Sequence, residues 1–120
     1  MGLFDKLKQA VLKETTMKKE DFSGLSDLQV LEKIDQYANE LQKTPNKMVF
    51  AKLSAAVDEF DQRVSSLPMS KRGAISQGWA CLKGLRDQIG RTIDLPTDMP
   101  TIVAGQIPGW VGQIYTELCK

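Results

Sequence analysis

Apolar residues recur at spacings of three and four along most of this chain, the period of a helix with one face buried and one in water. The clearest stretch follows Gly24, where Leu28, Leu31, Ile34, Ala38 and Leu41 share one stripe, with Val30 and Tyr37 beside it. Ser26 precedes that stripe and suits an N-cap, because a seryl oxygen can accept from the unpaired N–H groups of a first turn. This helix is expected to close near Lys43. Thr44 and Pro45 are expected to open the next one, Thr44 as cap and Pro45 at the first helical position, where its missing N–H costs nothing. The second stripe is Val49, Leu53, Val57, Phe60, Val64 and Leu67, with Ala56 inside it, and Pro68 marks its end. A third long helix, starting at Ser70, carries Ile75, Trp79, Leu82, Leu85, Ile89 and Ile93 on its stripe.

The two ends of the chain are patterned more briefly. Near the start, Leu3, Phe4, Leu7, Ala10 and Val11 fall on one helical face and Asp5, Lys6, Lys8, Gln9 and Lys13 on the rest, which predicts a short amphipathic helix. Residues 14–24 have no period and read as a connector. Beyond the third helix, Asp94 to Pro100 breaks the pattern with two prolines. In the tail, Ile107, Val111, Ile114, Tyr115 and Leu118 fit a final helix entered at Pro108, while Thr101 to Ala104 fits a helical turn or extended chain equally well. The expected fold is therefore all-α: a small antiparallel bundle of three long helices plus a short C-terminal helix and an N-terminal amphipathic helix. Residues 1–24 form the N-terminal helix and connector, and residues 25–120 the bundle domain.

Length and composition narrow the chemistry. A chain of 120 residues suits one domain, and a domain of that size buries about two-thirds of its unfolded surface, enough for a core without a metal or disulfide. A net charge of +1 gives no global attraction to nucleic acid or anionic lipid, so any electrostatic role is local. No histidine is present, which removes the commonest general base and the usual nitrogen ligand of transition metals. Cys81 and Cys119 form no C-x-x-C pair and have no base nearby in sequence, so they read as reduced thiols in a cytoplasmic protein. No apolar run approaches the length of a bilayer span. Asp58, Glu59 and Asp61 are clustered, but without the glycine-containing loop that a calcium site uses.

Two segments remain as candidate interaction surfaces. On the third helix Arg72, Lys83 and Arg86 line one edge beside Trp79, and residues 70–93 carry five basic residues against one acidic. Such an edge suits an acidic partner or phosphate backbone; alternatively Trp79 is core and the cations face the acidic residues of segment 21–69. Gly73, Gly78, Gly84 and Gly90 lie in the same helix, where an interior glycine costs ~1 kcal/mol relative to alanine. Gly78 falls in the apolar stripe and predicts close approach of another helix; Gly73, Ala80 and Gly84 form a small-residue back face open to a helix of this chain or of a partner. The other candidate is Leu3, Phe4, Leu7 and Val11. Gly2-Leu3-Phe4-Asp5 resembles the start of some amphibian membrane-active peptides, a match of four residues that implies an in-plane membrane helix; docking on the bundle is the competing expectation. Lys6 stands where a myristoylation signal needs Ser or Thr. These readings together predict a non-enzymatic protein–protein interaction module, possessing no catalytic, cofactor or metal residues, whose partner is another protein or a second copy of itself. A membrane-surface protein anchored by residues 2–13 is the alternative, and nucleic acid is disfavoured as a partner.

Overall fold

In the computed structural model of the chain, residues 22–120 are described; the expected N-terminal helix, with Leu3, Phe4, Leu7 and Val11, lies outside them. Helix makes up 79% of the described residues, with no strand among them. The elements are α1 (Asp27–Lys43), α2 (Lys47–Val64), α3 (Met69–Thr92), α4 (Met99–Ala104) and α5 (Ile107–Cys119).

Each boundary follows from where the end groups find partners. Ser26 caps α1 as expected, accepting from the Gln29 N–H at 3.2 Å, while its own N–H donates to the Gln29 side chain at 2.8 Å, a reciprocal box. The expected cap of α2 is corrected. The Thr44 N–H donates to the Glu40 carbonyl at 2.7 Å, so Thr44 terminates α1, and Asn46 caps α2 by accepting from the Val49 N–H at 2.9 Å. Pro45 is thus a linker residue and not the first residue of the helix. Helix α2 also stops at Val64, three residues before the expected Leu67, because the Ser66 and Leu67 N–H groups turn back to Arg63 and Val64. Helix α3 opens one residue early, at Met69, with the Lys71 and Arg72 N–H groups held by the Pro68 carbonyl. The two prolines of the tail sit in the first turns of α4 and α5, where they are compatible with helix, and Thr101 to Ala104 is helical.

The stripes read from the sequence meet in one core. Leu31, Ile34, Leu41, Leu53, Phe60, Ile75, Leu82, Ile89, Ile107 and Ile114 are all below 2% exposed, and no polar or charged described residue is buried. Helix α1 packs on α2, α4 and α5, and α3 packs on α2, α4 and α5, with the short α4 filling the space between α1 and α3. Phe22, in what the sequence reads as connector, is also part of this core at 6% exposed.

Two cations fasten element ends. Arg63, near the end of α2, donates through Nε to Glu59 at 2.7 Å, through Nη1 to the Leu25 carbonyl at 2.7 Å and to Asp27 at 3.1 Å, and through Nη2 to the Phe22 carbonyl at 2.7 Å. That planar fork fixes the entry into α1, a task a lysine cannot repeat. Lys71 donates to the carbonyls of Glu117, Leu118 and Lys120 at 3.0–3.3 Å, satisfying acceptors that the end of α5 leaves open.

The glycines of α3 divide by environment. A Cβ at Gly78 would meet the Trp110 ring at 3.4 Å and Ile114 at 3.7 Å, so α5 is the helix that approaches there; a Cβ at Gly90 would lie 2.9 Å from the Phe50 ring. Gly73 and Gly84 have nothing within 4 Å of the same position.

Truncating Leu53 or Ile75 to alanine is expected to cost ~2–5 kcal/mol each in chemical denaturation, the range for fully buried aliphatic side chains. The glycines should separate in thermal melts. Gly84→Ala should stabilise by ~0.5–1 kcal/mol through helix propensity alone, whereas Gly90→Ala should lose that gain because the Phe50 ring has to move.

Candidate functional site

The basic edge of α3 is largely spoken for within the chain. Trp79 is 3% exposed, so its ring is a core group and not a surface aromatic; it meets Phe60 edge-on at a centroid distance of 4.7 Å. A buried indole N–H needs an acceptor, and Asp61 of α2 supplies it at 2.7 Å. The same Asp61 oxygen accepts from Lys83 Nζ at 3.0 Å. One turn along, Arg86 donates through Nη1 to Asp58 at 2.8 Å and to the Ser54 hydroxyl at 3.1 Å, and through Nε to Asp87 at 2.8 Å. Lys83 and Arg86 therefore join α3 to the acidic residues of α2. Arg72 stands apart from this seam: it is half-buried, and its Nε has no hydrogen-bond partner among the described residues.

The electrostatics of the seam follow from these distances. The Trp79 N–H holds the Asp61 carboxyl below its ordinary range, with Lys83 and Arg86 adding to the effect against partial burial. Burial opposes the charge of Arg86, but Asp58 and Asp87 outweigh it and raise its pKa. Asp58, Glu59 and Asp61, clustered in the sequence, pair with Arg86, Arg63 and Lys83 respectively. No group of three potential metal ligands occurs among the described residues, and none of the described helices is long and apolar enough to cross a membrane.

The other side of α3 is different in kind. From Gly73 to Ala80 the helix carries no charged residue, and Gly73, Ala74, Ser76, Gln77, Ala80, Cys81 and Gly84 are all exposed. This face borders a groove of about 260 Å³ between α3 and α5, lined by Ala74, Gln77, Gly78, Trp110, Gln113 and Glu117 among others. The indole of Trp110 is half-buried at its edge. The sequence places the small residues of this face correctly but gives no signal for Trp110, because its groove exists only once α5 crosses Gly78.

A second groove, of about 360 Å³, lies between α1 and α5 and is lined by Glu32, Asp35, Pro108, Val111, Gly112, Tyr115 and Thr116. The Tyr115 hydroxyl donates to Glu32 at 3.4 Å, and that carboxylate raises the Tyr115 pKa. The two free cysteines, Cys81 and Cys119, are both exposed. Comparison with family models, curated proteins and solved structures gives no match.

The Asp61 arrangement sets a pH dependence. A carboxyl with its folded pKa lowered adds stability above its unfolded pKa, and that contribution is lost as pH falls through the ordinary carboxylate range toward the folded value. Trp79→Phe removes the principal cause of the lowering. Its unfolding free energy should accordingly fall less steeply than that of the wild type as the pH is lowered from about 5 to about 2, a difference readable from urea melts at each pH.

Proposed function

We propose that this protein is a non-enzymatic, cytoplasmic protein–protein interaction module, whose binding surface is the uncharged face of α3 together with the adjoining Trp110 groove. The observation that carries this reading is that face itself: Gly73 and Gly84 occupy helix positions at a cost in propensity, yet no described residue packs where their side chains would be. Solvated helix faces are usually charged, as that of α1 is, with Glu32, Asp35 and Glu40 along it. Depletion of charge beside an accessible tryptophan is the composition of an interface centre. The partner this surface fits is an apolar helix of another protein, laid close against the small residues with a larger side chain entering the groove beside Trp110.

The binding surface therefore moves from the basic edge around Trp79, Lys83 and Arg86 to the reverse side of the same helix. In this reading the bundle is the rigid holder of that face. Its three long helices run antiparallel, which is supported by Arg63 at the end of α2 bonding Phe22, Leu25 and Asp27 at the start of α1. Asp61 with Trp79 and Asp58 with Arg86 pair in opposite order along α2 and α3 and support the same course.

The test compares proteins captured from native-cell extract by the wild type, by Ala80→Arg and by a Glu40→Ala control. A long cation on the uncharged face should reduce retention of the genuine partner by tenfold or more, about 1.4 kcal/mol or above, leave the melting temperature unchanged, and be without parallel in the control. Retention of every captured protein by Ala80→Arg at wild-type levels would remove this face from consideration.

A further inference from the structure

The groove between α1 and α5 has an apolar floor and an acidic wall. Pro108, Val111, Gly112 and the Tyr115 ring form the floor, and Glu32 and Asp35 stand along the α1 side. A Cβ at Gly112 would meet nothing within 4 Å, so the floor has room for another group at its centre. Neither carboxylate is neutralised there by a lysine or arginine among the ion pairs of the described residues.

We propose that residues 3–13 of this same chain seat in that groove as an amphipathic helix, Leu3, Phe4, Leu7 and Val11 against the floor and the lysines toward Glu32 and Asp35. Three observations select this occupant. The first is charge: residues 2–13 hold Lys6, Lys8 and Lys13 against Asp5 alone, which complements the two carboxylates of this wall, whereas the Trp110 groove presents one carboxylate, Glu117, already paired with Lys120. The second is length. The apolar positions run from residue 3 to residue 11 and the groove from Pro108 to Thr116, each eight helical rises or ~12 Å. The third is the tether. The described chain begins at Phe22, clamped by Arg63 beside the start of α1, and Glu32 lies only five residues into that helix. The ten residues between Val11 and Phe22 reach up to ~33 Å, ample to turn back along α1. The proposal is independent of the α3 face, which would stay open with the groove filled.

The experiment uses the full-length chain with Cys81→Ser and Cys119→Ser, into which cysteine pairs are introduced and exposed to a mild oxidant. Leu7→Cys with Gly112→Cys should close a disulfide within the monomer about ten times faster than Leu7→Cys with Gly84→Cys, since docking raises the effective concentration of one thiol at the other. Adding Glu32→Lys and Asp35→Lys to the first pair should abolish the advantage, while circular dichroism confirms that each variant is folded. Equal closure of the two pairs overturns the proposal. So does linkage found between chains only, which assigns the groove to a second copy. A third arm incubates the chain without introduced cysteines with vesicles of phosphatidylcholine and phosphatidylserine: co-sedimentation as complete as that of a peptide of residues 1–13 assigns the segment to a lipid surface and overturns docking, and retention in buffer supports it.

Discussion

The arrangement of this fold depends on a single requirement: an indole N–H taken out of water must find an acceptor. Trp79 sits in the middle of α3 with its ring against Phe60, and the acceptor is Asp61, one residue after Phe60 on α2. Placing a carboxylate there draws Lys83 to the same oxygen, and the next turn repeats the pairing with Arg86 and Asp58. The seam therefore has a buried aromatic contact inside and charge pairs at its margin. The exposed pairs add little stability individually, since solvent screens them and holding long side chains costs entropy. Their contribution is orientation: once α2 claims the basic edge, the rotation of α3 about its own axis is set, and the uncharged face must point away.

That rotation explains which parts of the molecule were legible in the sequence. The helical stripes were, because burial of one face imposes a period that survives whatever the neighbours are; every long-helix stripe residue from Leu28 to Ile93 is buried or half-buried. Boundaries were less so. Thr44 and Asn46 are both competent caps, and the choice rests on whether α1 continues far enough to take the Thr44 N–H, which is decided by Leu41 packing at its end and not by local propensity. Phe22 was read as connector for a similar reason: one apolar residue among charges has no period, and its place in the core is fixed by Arg63, forty-one positions later.

The candidate surface was legible in composition but not in direction. Both sides of α3 look unusual in sequence, one for cations beside tryptophan and one for glycines. Which of them is spare turns on the partners of Arg86 and Lys83, and these come from α2. Trp110 was missed altogether, since its place beside the α3 face follows from α5 crossing α3 at Gly78. Arg72 remains distinct from its two companions: it lies about two turns before Trp79 meets Asp61, and its Nε has no hydrogen-bond partner among the described residues.

The glycines of α3 fall into two kinds, those a neighbouring helix meets and those nothing meets. Gly90 is explained by its neighbour, because a side chain there would press on the Phe50 ring, while a Cβ at Gly78 would reach ordinary contact with Trp110 at 3.4 Å. Gly73 and Gly84 gain nothing from the isolated fold, and each lowers the helix propensity of the longest helix in it. A sequence shaped for stability alone would carry alanine there, which fits the space equally well. Retaining glycine makes physical sense when backbone, and not side chain, has to meet something at close range, since an added methyl would hold an approaching helix off by its own thickness. The proposed interaction surface would supply such an approach, and within the described residues nothing packs where these two side chains would be.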